Sequence, residues 1–384
     1  MRFMPKSIAL ISALACAGVA QAADIKIGIA EALTGGAAQY GVAIRNGFQL
    51  AADEINAKGG INGNKIALVI EDEQAKKEEG INVFKKLIFQ DKVLMIFGPT
   101  LSNSFFAAGP VANAAKTVVF GTSVTANGIT DIGPYTFRNS VMESDVLPIT
   151  VATATKHYKL QKVAVIYGND DAFTKSGYDV FKKVLEEQKL PVTTTETYVK
   201  GDVDFKAQLT KIKGSNPDAI VCSCLAEEAA NIMLQARGLG IKAPFIGGNG
   251  FNSPKLFEIS KLAGEGTFVG SPWSNTNPAP ANKAFVAAYQ QKFGSEPNQF
   301  AAQGYDALHI AAAALKDVKL SGDIAADREA LKNALPKATI NGATGPFKFR
   351  PAQTKTGKPG GWDADQKPFI YIVKGGKFTL YDSK

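Results

Sequence analysis

The 384-residue chain is 45% hydrophobic and 20% charged with a formal net charge of +8, a composition that excludes a disordered or membrane-embedded chain. That length exceeds one ordinary core and suits two lobes. Its positive charge is dispersed, with Lys76-Lys77 followed at once by Glu78-Glu79. No basic run or aromatic–basic interleaving suggests nucleic acid as a partner.

Arg2 and Lys6 precede an apolar run from Ser7 to Ala20 and then Ala20-Gln21-Ala22, a small-x-small cleavage signal. Residues 1–22 therefore read as a signal peptide, and the mature chain begins at Ala23 or Asp24. Cys16, in Ala13-Leu14-Ala15-Cys16, offers a lipoprotein alternative, but the Leu expected three residues before it is missing. No later segment has the unbroken apolar length to span a bilayer. The product is expected to be exported and soluble.

The mature chain then alternates strand and helix. Ile25 to Ala30 is a strand whose loop, Glu31 to Gly41, leads into a helix with Ile44, Phe48, Ala51 and Ile55 on one face. Gly59-Gly60 ends that helix, strand Ile66 to Ile70 follows, and Glu71, Asp72 and Glu73 cap the strand. A second helix presents Ile81, Phe84 and Ile88.

The stretch Val93 to Ala126 is the most informative. Val93 to Phe97 is continuously apolar, as a strand covered on both faces should be. Ser102, Asn103 and Ser104 sit where a helix begins, and a Ser side chain there can cap free N–H groups. Strand Val118 to Phe120 then delivers Gly121, Thr122, Ser123 and Thr125. Open parallel sheets bind ligands at the carboxyl ends of their strands. Two such ends rich in hydroxyls suit an anion, most simply a carboxylate.

Past Phe137-Arg138-Asn139-Ser140 the rhythm restarts. A helix near Pro148 to Tyr158 precedes strand Val163 to Tyr167, and a helix with Val180, Phe181, Val184 and Leu185 on one face follows. Strand Val192 to Tyr198, a helix near Phe205 to Lys213, strand Ala219 to Cys224, a helix through Met233 and strand Phe245 to Gly248 complete the second set. Such alternation implies parallel sheets with right-handed crossovers. Pro278 to Leu335 reads as helical, and Pro368 to Tyr381 as a hairpin turned at Lys374-Gly375-Gly376-Lys377. Cys222 and Cys224, the cysteines left after cleavage, share one strand face. Buried core thiols are the favoured reading and a disulfide the alternative. With only His157 and His309 beside them, no metal or cofactor site is expected.

Several segments carry a family resemblance. They are Ile25-Lys26-Ile27-Gly28, Leu33-Thr34-Gly35 with Gln39-Tyr40-Gly41, and the run Ala52 to Gly63. Gly98 with Ser102, Gln235 to Gly240, Gly304-Tyr305-Asp306-Ala307 and Lys374 to Phe378 complete the set. In this order the chain resembles the type I periplasmic solute-binding proteins of branched-chain amino acid ABC transporters. The resemblance implies a location in the periplasm and an α/β fold of two Rossmann-like lobes joined by a three-crossover hinge. Residues 24–142 plus 273–358 would form the N-terminal lobe, and 143–272 plus 362–384 the C-terminal lobe. Ligand would be trapped as the lobes close.

The resemblance also implies roles. Ser102 matches the serine that holds the ligand carboxylate, and Ser123 and Thr125 match second-loop contacts. Tyr40 and Phe300 match aromatic wall positions, Phe173 a covering aromatic of the second lobe, and Leu225 a tyrosine position. Core packing is the alternative for Tyr40 and Phe300, and a helix cap and a turn residue for Ser102 and Ser123. The second-lobe carboxylate that faces the ligand ammonium is replaced by neutral Asn249, in Ile246 to Phe251. Asp170, Asp171 or Glu31 could substitute, whereas Glu227 and Glu228 fit better as first-turn helix residues. The carboxylate half of an amino-acid site is thus present and the ammonium half is not evident.

The expected function is a monomeric solute-binding component of an importer. It would capture a small carboxylate, either an amino acid or an organic acid lacking the amino group, for an inner-membrane ABC permease. No nucleophile elbow, P-loop or zinc-protease motif points to an enzyme. A sensor module of similar fold is the alternative, and an exported hydrolase a weaker one.

Overall fold

A computed structural model describes residues 24–354, 357 and 359–382. Residues 1–22, read as a signal peptide, and with them Cys16, lie outside the described residues.

The first lobe opens with β1 (Ile25–Glu31), α1 (Ala38–Ala57), β2 (Ile66–Asp72), α2 (Lys77–Lys85), β3 (Met95–Phe97), α3 (Ser102–Ala114), β4 (Val118–Gly121) and β5 (Thr136–Arg138). The chain crosses at 139–142 into α4 (Glu143–Tyr158), β6 (Val163–Gly168), α5 (Ala172–Glu187), β7 (Val192–Tyr198) and α6 (Lys206–Ser215). There follow β8 (Ala219–Ser223), α7 (Ala226–Gly238), β9 (Phe245–Gly247), α8 (Lys255–Ser260) and β10 (Phe268–Ser271). It returns through α9 (Pro280–Phe293), α10 (Gln299–Leu315), α11 (Ile324–Ala334), β11 (Ile340–Gly342), β12 (Gly345–Pro351) and β13 (Trp362–Asp365). A third crossing leads to β14 (Phe369–Lys374) and β15 (Lys377–Leu380).

Eight strands in the order β11-β12-β13-β5-β4-β3-β1-β2 form one sheet, and seven in the order β15-β14-β10-β9-β8-β6-β7 the other. The inner strands are parallel and fully apolar in burial, so helices cover both faces. This is the two-lobed α/β fold with three crossovers that the sequence implies. An aromatic chain fills the first core: Phe48 lies 4.6 Å from Phe97, which lies 5.2 Å from Phe120, and Phe349 meets Phe120 and Phe137. Against it, α1 and α10 approach backbone to backbone. A Cβ at Gly47 would come within 2.1 Å of the Ala301 carbonyl, and one at Gly304 within 2.4 Å of the Ile44 carbonyl, so the interhelix contact requires glycine at both positions.

Four details differ from the sequence reading. First, β13 belongs to the first sheet, between β12 and β5, so residues 362–365 are not in the second lobe and the last crossing falls after Asp365. Second, α4 begins already at Glu143, with Glu143 and Asp145 favourable in its first turn and Pro148 one turn inside. Third, Glu71 and Asp72 continue β2 rather than capping it. Fourth, Cys222 and Cys224 are joined in a disulfide instead of remaining core thiols. Cys224 lies just past the end of β8, where the chain turns and brings the two Cα atoms to 5.5 Å, inside the span a disulfide needs. The terminal hairpin pairs Lys374 with Lys377, as read.

Candidate functional site

The carboxyl ends of β3 and β4 bring the two hydroxyl-bearing loops side by side. The N-cap position of α3 is Leu101, which has no side chain to cap with, and Ser102 is the first helical residue. The expected Ser cap is therefore absent. The Ser102 hydroxyl instead accepts a long 3.4 Å bond from the Ala126 N–H, across to the second loop. Ser123 Oγ donates to the Thr100 carbonyl at 2.6 Å, tying the loops from the other side.

The second loop is held from beneath by Arg138. Its guanidinium is buried and donates to Asp363 Oδ1 at 2.7 Å and to the carbonyls of Val124 and Ala126. Ser140 Oγ adds a 2.7 Å bond to the Val124 carbonyl. A buried guanidinium needs this pairing to offset its desolvation. Through it, β5 and β13 fix the loop that carries Ser123.

From the second lobe come Phe173 in the first turn of α5, Leu225 at the N-cap of α7, and Asn249 with Gly250 after β9. Gly250 is pressed so closely over the Cys224 carbonyl that a Cβ would stand 2.4 Å from it. The lobes meet through polar bonds. Asn103 Nδ2 donates to Asp171 at 2.8 Å, while Asn103 Oδ1 accepts from the Ala172 N–H. Ser253 Oγ donates to Gln39, and the Asn127 N–H donates to Ser176. Tyr40 of α1 accepts from the Ala226 N–H and donates to the Gly250 carbonyl.

Seven of the eight sequence-predicted site residues line one cavity between the lobes: Tyr40, Ser102, Ser123, Phe173, Leu225, Asn249 and Phe300. Thr100, Leu101 and Gly250 complete the lining, and the volume left is about 20 Å³. Tyr40 and Phe300 pack edge to face at 4.8 Å, so wall and core roles coincide in them. Thr125 is the exception. It is buried at the hinge, where its hydroxyl faces Glu143.

No lining residue is charged. The carboxylates considered as substitutes are all engaged elsewhere. Asp171 caps α5 through the Phe173 and Thr174 N–H groups, and Asp170 is exposed and accepts from the Lys200 N–H. Glu31 is buried beneath Thr100. Glu227 and Glu228 lie in the first turn of α7. Asn249 itself is an amide among amides: Gln299 Nε2 donates to its Oδ1, and its Nδ2 donates to the Ser123 carbonyl at 3.3 Å.

Sequence reasoning missed Thr100, Gln299 and Glu143. Thr100 was within reach, since it precedes Ser102 in the same loop. Gln299 sits immediately before Phe300. Glu143 accepts from the Asn249 N–H at 2.9 Å, with Oε2 unpartnered. Burial pushes its carboxyl up to about 7, against the pull of that N–H and of the Thr125 hydroxyl.

Similarity to known proteins can be set on this geometry. The profile described as periplasmic binding protein matches residues 24–360. The chain belongs to the periplasmic binding protein family. It is 31% identical over 339 residues to the Leu/Ile/Val-binding protein homolog 1 of Brucella suis, covering 87% of this chain and 89% of the relative. It is 29% identical to the leucine-, isoleucine-, valine-, threonine- and alanine-binding protein of Pseudomonas aeruginosa, covering 88% and 90%.

Among solved structures, the branched-chain amino acid transporter substrate-binding protein LivJ of Streptococcus pneumoniae, in complex with isoleucine, superposes with a TM-score of 0.84 at 32% identity. It covers 93% of this chain and 98% of LivJ. A solute-binding protein of Rhodopseudomonas palustris in complex with 3,4-dihydroxybenzoic acid superposes at 0.80 with 26% identity, covering 93% and 95%. This periplasmic binding protein is thus of the branched-chain amino acid ABC transporter type, a group of substrate-binding proteins that works outside the cytoplasm. Among the described residues, no helix is long and apolar enough to cross a membrane.

Proposed function

We propose that this periplasmic binding protein captures a small carboxylate that lacks an α-ammonium group, an aromatic or branched organic acid, and delivers it to an inner-membrane ABC permease. The uncharged lining carries the reading. A buried ammonium needs a carboxylate partner, and Asn249, at the position where one would stand, is already engaged by Gln299 and the Ser123 carbonyl. Phe173, Leu225, Tyr40 and Phe300 supply the apolar walls such an acid requires.

The mechanism is binding without chemistry. The acid group docks on the first lobe at Ser102 and Ser123, where α3 begins and first-turn N–H groups favour an anion. The shut cleft has room for about one water, so a ligand enters with the lobes parted. It then favours closure only through contacts to both. Tyr40, Asn103, Gln39 and Asn127 re-form their cross-lobe bonds as the second lobe comes down.

Calorimetry of the mature chain against benzoate, L-leucine and L-phenylalanine tests this. Benzoate-type acids are expected to bind, and the amino acids weakly or not at all. The isoleucine held by the LivJ relative favours a second reading, an α-amino acid ligand, and tight leucine binding would establish that reading instead. A gene neighbourhood of permeases and ATPases separates import from sensing.

A further inference from the structure

Beneath the ligand loop lies a second polar site. Glu31 ends β1 and Glu73 follows β2, and the Glu73 N–H donates to the Glu31 carbonyl, so the two side chains leave adjacent strand ends together. Both residues are fully buried. Among the described residues neither forms an ion pair, and Glu31 Oε1 and Glu73 Oε2 have no hydrogen-bond partner. An unpaired buried carboxylate is among the costliest groups a protein can hold.

Thr100 joins this pair to the cavity. Its Oγ1 donates to Glu31 and accepts from the Ala32 N–H at 2.8 Å, and its own N–H reaches Glu73 at 3.3 Å. Its carbonyl accepts from Ser123 Oγ, and Thr100, Leu101, Ser102 and Ser123 all line the cavity. One residue thus separates two buried carboxyls from the place assigned to the ligand's acid group.

We propose that Glu31 and Glu73 form a proton site beneath the ligand loop, and that capture of a carboxylate is accompanied by uptake of a proton by the pair. The proposal rests on the reading that the cleft takes an acid at Ser102 and Ser123. A further negative charge beside this buried pair disfavours its ionised forms, so an arriving anion drives protonation of the pair. Burial already pushes Glu31 well above the carboxylate range, and the Thr100 hydroxyl only partly offsets this, with Glu73 adding to the rise. Burial lifts Glu73 to about 7, against the Ser104 hydroxyl and the N–H groups of Thr100 and Ala75.

Of the other charged groups nearby, Asp72 pushes Glu73 up further. Against the upward push of its own slight burial, Asp72 is held below its ordinary value by the Thr34 hydroxyl and by the Leu33, Gln74 and Thr34 N–H groups. Lys76 turns to the Gln74 side chain. The sign follows: a site that gains a proton on binding loses affinity as pH rises through 7, by up to about tenfold per pH unit for one linked proton.

The test is calorimetry on the mature chain in phosphate and in Tris at pH 7, with benzoate and L-leucine as separate probes. The difference in heat between buffers counts protons. Uptake of part of a proton is expected with whichever probe binds, reduced in Glu73→Gln and abolished in Glu31→Gln/Glu73→Gln. Affinity should fall from pH 6 to 8 in the wild type and stay flat in the double variant.

Binding of leucine but not benzoate removes the ligand-class reading and leaves the proton count to stand or fall by itself. Equal heats in the two buffers, proton uptake unchanged in the double variant, or failure of both probes would each overturn the proposal. So would a carbon NMR titration of the free protein without a glutamate carboxyl near pH 7 that vanishes in Glu73→Gln.

Discussion

The hydroxyl of Tyr40, carried by the first lobe, caps the first turn of α7 on the second: it accepts from the Ala226 N–H at 2.8 Å and donates to the Gly250 carbonyl at 2.8 Å. A helix start has N–H groups with no intrahelical partner, and α7 has none of its own side chains at that position. Tyr40→Phe keeps the edge-to-face contact with Phe300 and removes both bonds. The expected cost to the closed form is about 1–3 kcal/mol. Hydrogen exchange at the Ala226 amide should speed up by about tenfold to a hundredfold, while α1 amides stay unchanged.

Asp363 and Arg138 form a buried pair at 2.7 Å that also fixes the Val124–Ala126 loop. Asp363→Ala leaves a guanidinium buried without its counter-charge. Denaturant unfolding should show a loss of about 3–5 kcal/mol, and ligand affinity should fall as the loop carrying Ser123 loosens.

Asn249→Glu restores a carboxylate at the second-lobe wall. Selectivity should move toward amino acids, with the leucine-to-benzoate affinity ratio rising by about tenfold or more, as read by competition calorimetry. Retention of the wild-type ratio would show that position 249 does not set ligand charge.

Glu143 couples the hinge to pH. Its folded value is raised by burial to about 7 from an ordinary 4.5, so the folded state binds more protons than the unfolded one across that window. Stability from this group is fully present below about pH 4.5 and is lost as pH rises through 7. Glu143→Gln cannot ionise. Relative to wild type it should gain roughly 1–3 kcal/mol between pH 5 and pH 8, measured by thermal unfolding across that range.

The Cys222–Cys224 disulfide closes a very short loop, with a sequence separation of 2. Chain-entropy arguments then give it at most about 1.5–2 kcal/mol. Reduction should raise the intact mass by two hydrogens and shift the melting temperature only slightly.

Strands of continuous apolar burial and helices with one apolar stripe were legible because local pattern decides them. The two hydroxyl loops were legible because strand ends of parallel sheets face the cleft. What escaped depends on partners far along the chain. Trp362-Asp363-Ala364-Asp365 does not look like an inner strand, since buried Asp363 finds its partners in Arg138, 225 residues earlier, and Thr130, 233 residues earlier. Glu71-Asp72-Glu73 looks like a solvated cap, yet Glu73 is enclosed by Thr100 and Ser104. Ser102 has a helix-start signature, but its hydroxyl serves the neighbouring loop.

The late placement of β14 has a consequence for biogenesis. It lies between β10 and β15 and follows every strand of the first sheet in the chain, so the second sheet stays open beside β10 until the last strand of the first sheet has been made. The first sheet likewise waits for β13 to take its place between β12 and β5. Each sheet is completed only by a strand that lies beyond the body of the other sheet in the chain, so the two lobes are finished in an interleaved way and not one after the other.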